Sequence, residues 1–434
     1  YIQYTGSNAN DRYAVRVSGG VHVPVLDLYG ITDESEKLSR AETYIEELQA
    51  YVDQMETMHS QYHENSSNPN VNRYSYNAHN CILGASDILL DDMLLSLPAK
   101  RILDGTGYGG TTEKAAKAVR STDAMEDMLY LFYQHKGLNA NAEKEVDRPS
   151  KRHLNIRYQR MFSGAFMYAA GNHIGIEWGS ASGPLASIGV SSDENGRYIS
   201  GSYFGWGIAH EIGHCINQGA YEVAEITNNY FAQLAQAKDT NAGMRFKYEN
   251  IYSKVTSGAT GQSSNLATQL GLYWQLHLAY DNDYNFKTYD NRTEQLANLF
   301  YARMDSYART PSLAPAPGGI QLALGGGSDQ NLMRLACAAA EKDILEFFER
   351  WGKIPDSTTI QYASQFDKEQ RAIWYADDDS RVYRIERPYG GYLGTGGYVQ
   401  AVGSDTSAIV SWNDPNQVRF NLSYENIPDE EVLG

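Results

Sequence analysis

The run His210-Glu211-Ile212-Gly213-His214 constrains this chain more tightly than any other stretch. Two histidines four positions apart face the same way only if the segment is α-helical, where one turn takes 3.6 residues. On that helix both imidazoles can bind one zinc ion, and the glutamate between them can reach an attacking water as general base. The upstream stretch Tyr203 to Ala209 is apolar and punctuated by glycine, which suits a segment entering a buried helix. Gly213 inside the helix costs about 1 kcal/mol relative to alanine, so a close approach to a neighbouring element, such as a sheet, is expected there.

A catalytic zinc needs three protein ligands. Asn217-Gln218-Gly219 reads as a helix stop, and the sequence from Tyr221 onward reads as helical again. In an antiparallel hairpin centred between Gly219 and Ala220, Glu225 falls opposite His214 and Asn229 opposite His210. Glu225 is therefore the expected third ligand. Its competitor Glu222 falls opposite Asn217, nearer the turn. Asn229 is placed to orient a ligand through its amide, with an ordinary polar helix face as the alternative. Cys215 projects about 100° away from His214 and reads as a structural thiol.

His-Glu-Ile-Gly-His followed by Glu225 to Asn229 resembles the enhancin-like, mucin-degrading metallopeptidases, peptidase family M60 of the gluzincin clan. Leu94 to Ala99, Gly171 to Ile176, Tyr273 to Leu278 and Phe347 to Gly352 resemble the same family, so the likeness covers most of the chain. It implies an α+β, gluzincin-type domain: a mixed sheet with the active-site helix, then a mainly helical subdomain, flanked by β-rich segments. It also implies Zn2+ on His210, His214 and Glu225, with Glu211 as base. The implied substrate is an O-glycosylated, mucin-type protein cut beside the glycosylated serine or threonine by a secreted or cell-surface bacterial enzyme. A general zinc endopeptidase without a glycan requirement and a non-catalytic glycan-binding module are the alternatives. The intact His210, Glu211 and His214 disfavour the module. No exopeptidase signature of the Gly-x-Met-Glu-Asn type is present, which favours endopeptidase action.

The chain of 434 residues can hold two or three domains, and its net charge of −17 argues against nucleic-acid binding. The three cysteines, Cys81, Cys215 and Cys337, are odd in number and widely spaced, so no disulfide framework is readable. No apolar run is long enough to span a bilayer. The expected organisation is an N-terminal β segment over residues 1–30, a catalytic domain over 31–375 and a β-rich C-terminal segment over 376–434. The whole is expected to be a monomeric catalytic fragment of a larger multimodular protein.

Within that frame, helical periods are expected over 33–59, capped by Asp33, and over 110–135, 155–170, 265–280, 292–308 and 331–351. A loop is expected around 64–72, and another, with the composition of a lid, over 311–327. Residues 171–179 read as a strand, placed beside the cleft as the sheet edge that pairs with substrate, or else as an interior strand. His173 and Trp178 are the substrate contacts expected there. His277, Tyr280 and Tyr284 are the candidates for stabilising an oxyanion, each also readable as structural. His59 and His63 share helical spacing, but Ser60 stands where the motif needs glutamate, so the pair reads as a solvated helix end.

Overall fold

The computed structural model describes residues 22–65, 84–150, 154–159, 161, 164–171, 173–181, 204–238, 245–281 and 299–376. Six short strands form one mixed sheet: β1 Val25–Asp27, β2 Ala85–Leu89, β3 Met93–Pro98, β4 Leu154–Tyr158, β5 Met167–Ala170 and β6 His173–Ile176, in the order β1-β2-β3-β4-β6-β5. β2 and β3 form an antiparallel hairpin, β3, β4 and β6 run parallel, and β5 turns back antiparallel to β6. One apolar row crosses the sheet in register, Leu26-Ile88-Leu95-Ile156-Ile174-Ala169. Its four central members are fully buried, each contributing about 1.5–3 kcal/mol by leaving water. Strands this short hold only because that row is shared across all of them.

Helix α1, Glu34–Asn65, carries the expected stripe, with Ala41, Tyr44, Ile45, Leu48 and Val52 buried. Asp33 Oδ1 accepts from the Glu36 amide at 2.8 Å, the capping bond read from the sequence. His59 and His63 lie in its last turns. After α2, Ala99–Gly105, helix α3, Thr111–His135, packs along α1. Lys37 on α1 bonds Asp123 on α3 at 2.8 Å.

The helical layer continues with α4, Ala209–Ile216, α5, Thr227–Lys238, α6, Tyr248–Thr256, and α7, Leu266–Tyr280. It ends with α8, Phe300–Arg309, α9, Ser328–Ala340, α10, Leu345–Arg350, and α11, Ser357–Ala363. Much of the tyrosine is spent inside this core: Tyr133, Tyr221, Tyr230, Tyr273, Tyr301 and Tyr362 are all buried. No helix among the described residues is long and apolar enough to cross a membrane.

Four expectations change. The stretch 155–170 is not a helix: Leu154–Tyr158 and Met167–Ala170 are strands, because pairing with β3 and β6 overrides their weak local period. The strand within 171–179 is β6, interior between β4 and β5, so β5 forms that edge of the sheet. The single helix expected over 331–351 is broken at Glu341, which turns left-handed at φ 51° and ends α9. The second arm of the expected hairpin starts at Thr227, leaving 217–226 as a loop.

The stretch 311–327 is a loop, pinned at several points. Tyr362 donates to Pro315 O at 2.9 Å, Gln365 to Ile320 O at 3.0 Å, and Gly325 N to Asn331 Oδ1 at 2.7 Å. Residues 1–21, 66–83, 292–298 and 377–434 lie outside the described residues. The flanking β segments, most of the 64–72 loop and the start of the helix expected over 292–308 fall there.

At the end of α3, His135 donates from Nδ1 to Leu131 O at 3.1 Å. Burial, with His277 beside it, pushes this imidazole down to about 4 from its ordinary 6.5. The folded state therefore refuses a proton that the unfolded chain accepts. Its contribution to stability is complete above pH 6.5 and shrinks as the pH falls toward 4, by about 2 kcal/mol at pH 5. Urea unfolding at pH 7 and pH 5 should show that loss, and His135→Gln should reduce the difference.

Candidate metal centre

Helix α4 is only eight residues long and is entered through a π-helical turn, Phe204–Ile208. Trp206 and Gly207 in that turn lead into a helix whose Ala209 and Ile212 are fully buried. Upstream the turn rests on the sheet edge, where a Cβ at Gly207 would stand 3.2 Å from Met167 Cε on β5. On its other side α4 lies against α5 at backbone contact. A Cβ at Gly213 would sit 2.4 Å from Asn228 O and 2.9 Å from Asn228 Cα. The close approach expected from this glycine exists, but the neighbour is a helix rather than a sheet.

His210 and His214 project from one face of α4, their rings edge to face with centroids 4.8 Å apart. The loop between α4 and α5 brings the Glu225 carboxylate to both of them. Its oxygens stand 3.2 Å from His214 Nε2 and 3.4 Å from His210 Nε2. Glu225 reaches this place from a left-handed backbone with φ 66°, not from a helix. Glu222 is exposed in the same loop.

Asn229 lies where the sequence puts it, and it makes two short bonds. His210 Nδ1 donates to its Oδ1 at 2.6 Å, and its Nδ2 donates to Glu225 O at 2.6 Å. One amide thus fixes the His210 tautomer with Nε2 unprotonated, and also clamps the backbone of Glu225. Asn228, which sequence reasoning passed over, is fully buried, and its Nδ2 stands 3.0 Å from His214 Nε2 and 3.4 Å from His210 Nε2, beside the two nitrogens that a metal would use. Only the contact with Gly213 brings it there, and no local pattern signals that contact.

Glu211 is buried, with its carboxylate within 4.8 Å of the histidine nitrogens. Burial raises its proton affinity above the ordinary carboxylate range, Glu225 adds to the rise and His210 opposes it. Burial lowers that of His214, helped by His210 and opposed by Glu225. The first shift brings a carboxylate closer to working pH as a base, and the second keeps an imidazole neutral.

The donor set fits zinc. Tetrahedral bonds of about 2.0–2.1 Å separate neighbouring ligand atoms by roughly 3.3 Å, close to the two distances that Glu225 makes. Cys215 offers no thiolate, since burial, with Glu211 nearby, pushes its thiol up to about 11. Cys215 and Cys337 are both unpaired, and Cys81 lies outside the described residues.

A second convergence, His135, His277 and Asp281, is buried throughout. His277 Nδ1 bonds Asp281 Oδ2 at 3.0 Å, and Asp281 Oδ1 accepts from the Phe300 amide at 2.7 Å, so the cluster ties α7 to α8. Enclosed in this way, it presents no face to a substrate. His277 is committed to that tie, and Tyr280 donates to Glu369 Oε2 at 2.9 Å. Tyr284 lies outside the described residues.

The expected substrate contacts fare differently. Trp178 is buried under the Arg101 guanidinium, 5.7 Å from its ring, and edge-on to Tyr158. It is a packing residue, which overturns the expectation that it meets substrate. His173 is half-buried on β6, where Arg157 Nη2 donates to its Nε2 at 3.0 Å and Tyr168 OH lies 3.2 Å from the same atom.

Residues 112–352 match the family model described as Peptidase M60, enhancin and enhancin-like. The chain belongs to this family. The match spans more than half of the chain and contains the whole centre. Among solved structures, the M60 catalytic domain of Clostridium perfringens ZmpC, in complex with the sialyl T antigen, aligns at 21% identity and TM-score 0.58, covering 87% of this chain and 61% of that one. The ZmpB metallopeptidase from Clostridium perfringens aligns at 22% and 0.56, covering 84% and 59%. The catalytic module of the Clostridium perfringens metalloprotease ZmpA aligns at 19% and 0.54, covering 83% and 58%. The chain thus spans about three fifths of the length of these structures, and at such identities they establish the α+β fold. No curated protein matches the sequence. As an M60 metallopeptidase domain, the chain is expected to carry a metal.

Gly213→Ala should force α4 and α5 apart at backbone atoms that cannot swing away, costing on the order of 1–3 kcal/mol. Denaturant unfolding reads that loss, and zinc titration should show weakened binding in parallel. Asn229→Ala should weaken zinc by about 10–100-fold, measured by chelator competition, because His210 loses its orienting acceptor.

Proposed function

We propose that this M60 domain is a zinc endopeptidase acting on O-glycosylated, mucin-type proteins. His210, His214 and Glu225 are the metal ligands and Glu211 is the general base. The observation that carries the reading is the approach of one carboxylate, Glu225, to the Nε2 atoms of both histidines at 3.2 and 3.4 Å. Zinc bound there supplies Lewis acidity toward a water and a scissile carbonyl. Glu211 takes the proton of the attacking water and passes it to the leaving amine nitrogen. Asn229 holds His210 against rotation.

Substrate geometry follows from β5 rather than β6. Among the described residues β5 is the edge of the sheet and packs on α4, so that edge suits an extended peptide laid along it. Tyr168 on β5 lies across Gly175 on β6, where a Cβ would stand 2.0 Å from its ring, so this glycine makes room for the tyrosine beside the cleft. Arg245 stacks on Trp206 at 4.3 Å, four residues before His210. An indole and a guanidinium side by side suit a sugar ring bearing an acidic group.

Family membership and the sialyl T antigen bound by the ZmpC domain support a glycosylated substrate. ZmpB, in which the M60 domain stands beside CBM51 domains, supports a place in a larger secreted or cell-surface protein. Glu211→Gln should retain zinc while lowering kcat by about 10²–10⁴-fold; full activity in that variant would sink the assignment of the base. A matched pair of peptides, one bearing a mucin-type glycan and one bare, tests the substrate. Cleavage located by mass spectrometry should occur in the first alone, and equal rates would establish a general endopeptidase.

A further inference from the structure

We propose that a buried chain of three side chains, Tyr221, Asp305 and Lys136, is the positioning device for Glu225. The inference rests on the reading of Glu225 as a metal ligand. Its starting point is the backbone: a non-glycine residue at φ 66° sits in a disfavoured region and stays there only where its surroundings over-determine it.

The loop 217–226 belongs to no helix or strand. Its local bonds are turns: Tyr221 N and Glu222 N donate to Gln218 O, and Thr227 Oγ1 accepts from Val223 N. Turns of this kind set local shape but do not anchor a loop to the rest of the molecule. Asn229 clamps Glu225 O from α5, and the anchor at the other end of the loop is Tyr221, four residues before Glu225, which points inward and is buried. Its hydroxyl donates to Asp305 Oδ1 at 2.6 Å, and Lys136 Nζ bonds Asp305 Oδ2 at 2.6 Å. All three groups lie below 9% exposure, so salt screens these bonds much less than it would at the surface.

The platform beneath Tyr221 is itself rigid. One helical turn past Asp305 on α8, Arg309 donates to Lys136 O at 2.8 Å and Gly137 O at 3.0 Å. A Cβ at Gly137 would stand 2.7 Å from Ala302 O, so the end of α3 is locked against α8 at backbone contact. A buried ion pair is seldom the cheapest way to hold two helices together, since apolar residues of similar size do as well or better. What the pair adds is an ionised acceptor at a fixed point. A hydroxyl bonded to a carboxylate is held about twice as strongly as one bonded to a neutral acceptor. On the far side of the loop, Asn331 Nδ2 donates to Ala220 O at 2.8 Å, so Tyr221 is pinned through both its side chain and its preceding carbonyl.

Tyr221→Phe removes the hydroxyl alone. Tyr301→Phe is the control, because Tyr301 is equally buried in the same neighbourhood but its hydroxyl donates to Tyr273 O at 2.7 Å, on α7, rather than to Asp305. The readouts are zinc affinity, by competition with a chromophoric chelator, and thermal unfolding of the metal-free protein. The expected result is zinc binding weakened by about tenfold in Tyr221→Phe and unchanged in Tyr301→Phe, with similar losses of Tm in both. Wild-type zinc affinity in Tyr221→Phe, together with weak binding in Glu225→Gln, would overturn the positioning role alone and leave the triad as structural glue. Wild-type affinity in Glu225→Gln would overturn the ligand assignment and this inference together.

Discussion

The contact that everything else hangs on is backbone against backbone, Gly213 of α4 on Asn228 of α5. An isolated helix of eight residues is not stable in water, so α4 owes its existence to what it touches. The sheet edge supports its entry turn and α5 supports its outer side. Glycine in mid-helix sacrifices about 1 kcal/mol. In return the start of α5 comes close enough for Asn228 to reach His214 and Asn229 to reach His210. A single methyl at Gly213 would move the supports of both histidines at once.

How legible the centre was depends on which of its parts obey a period. The histidine spacing is helical geometry and could be read directly. Glu225 was also found, but through a hairpin that the chain does not form: α5 starts six residues later than that construction assumed, and a left-handed residue substitutes for a helical turn. Two routes converge because either one carries the chain back along α4 over about the same distance. Asn228 was missed because the hairpin construction set Glu225 and Asn229, not Asn228, opposite the histidines, and the anchor at Tyr221 because its partner is 84 residues away. The strands β4 and β5 were missed for a similar reason. Four or five residues carry little pattern, and the row of Leu95, Ile156 and Ile174 that stabilises them is assembled only in space.

Exposure within the centre runs in one direction. Glu211 is buried, the two histidine side chains are 19% and 23% exposed, and that of Glu225 is 53% exposed. The base therefore sits at the floor and the carboxylate ligand at the rim. The loop that carries Glu225 exposes Gly219, Glu222, Ala224 and Glu225 on its outer side, so its support comes from beneath. Burying an anchor beneath it, at Tyr221, leaves the outer surface open.

That division bears on how a domain at about 20% identity to its solved relatives can keep their fold and still differ in what it recognises. The metal-binding side chains, the glycine contact and the bonds of Asn229 are mutually dependent, so changing one penalises the others. Arg245 and Trp206 are under no such constraint. Arg245 is exposed and its stacking partner lies in the entry turn rather than in α4 itself. Substitution there removes none of the hydrogen bonds of the centre, so the surface around the entry turn can change while the bonds that hold the histidines and Glu225 stay as they are.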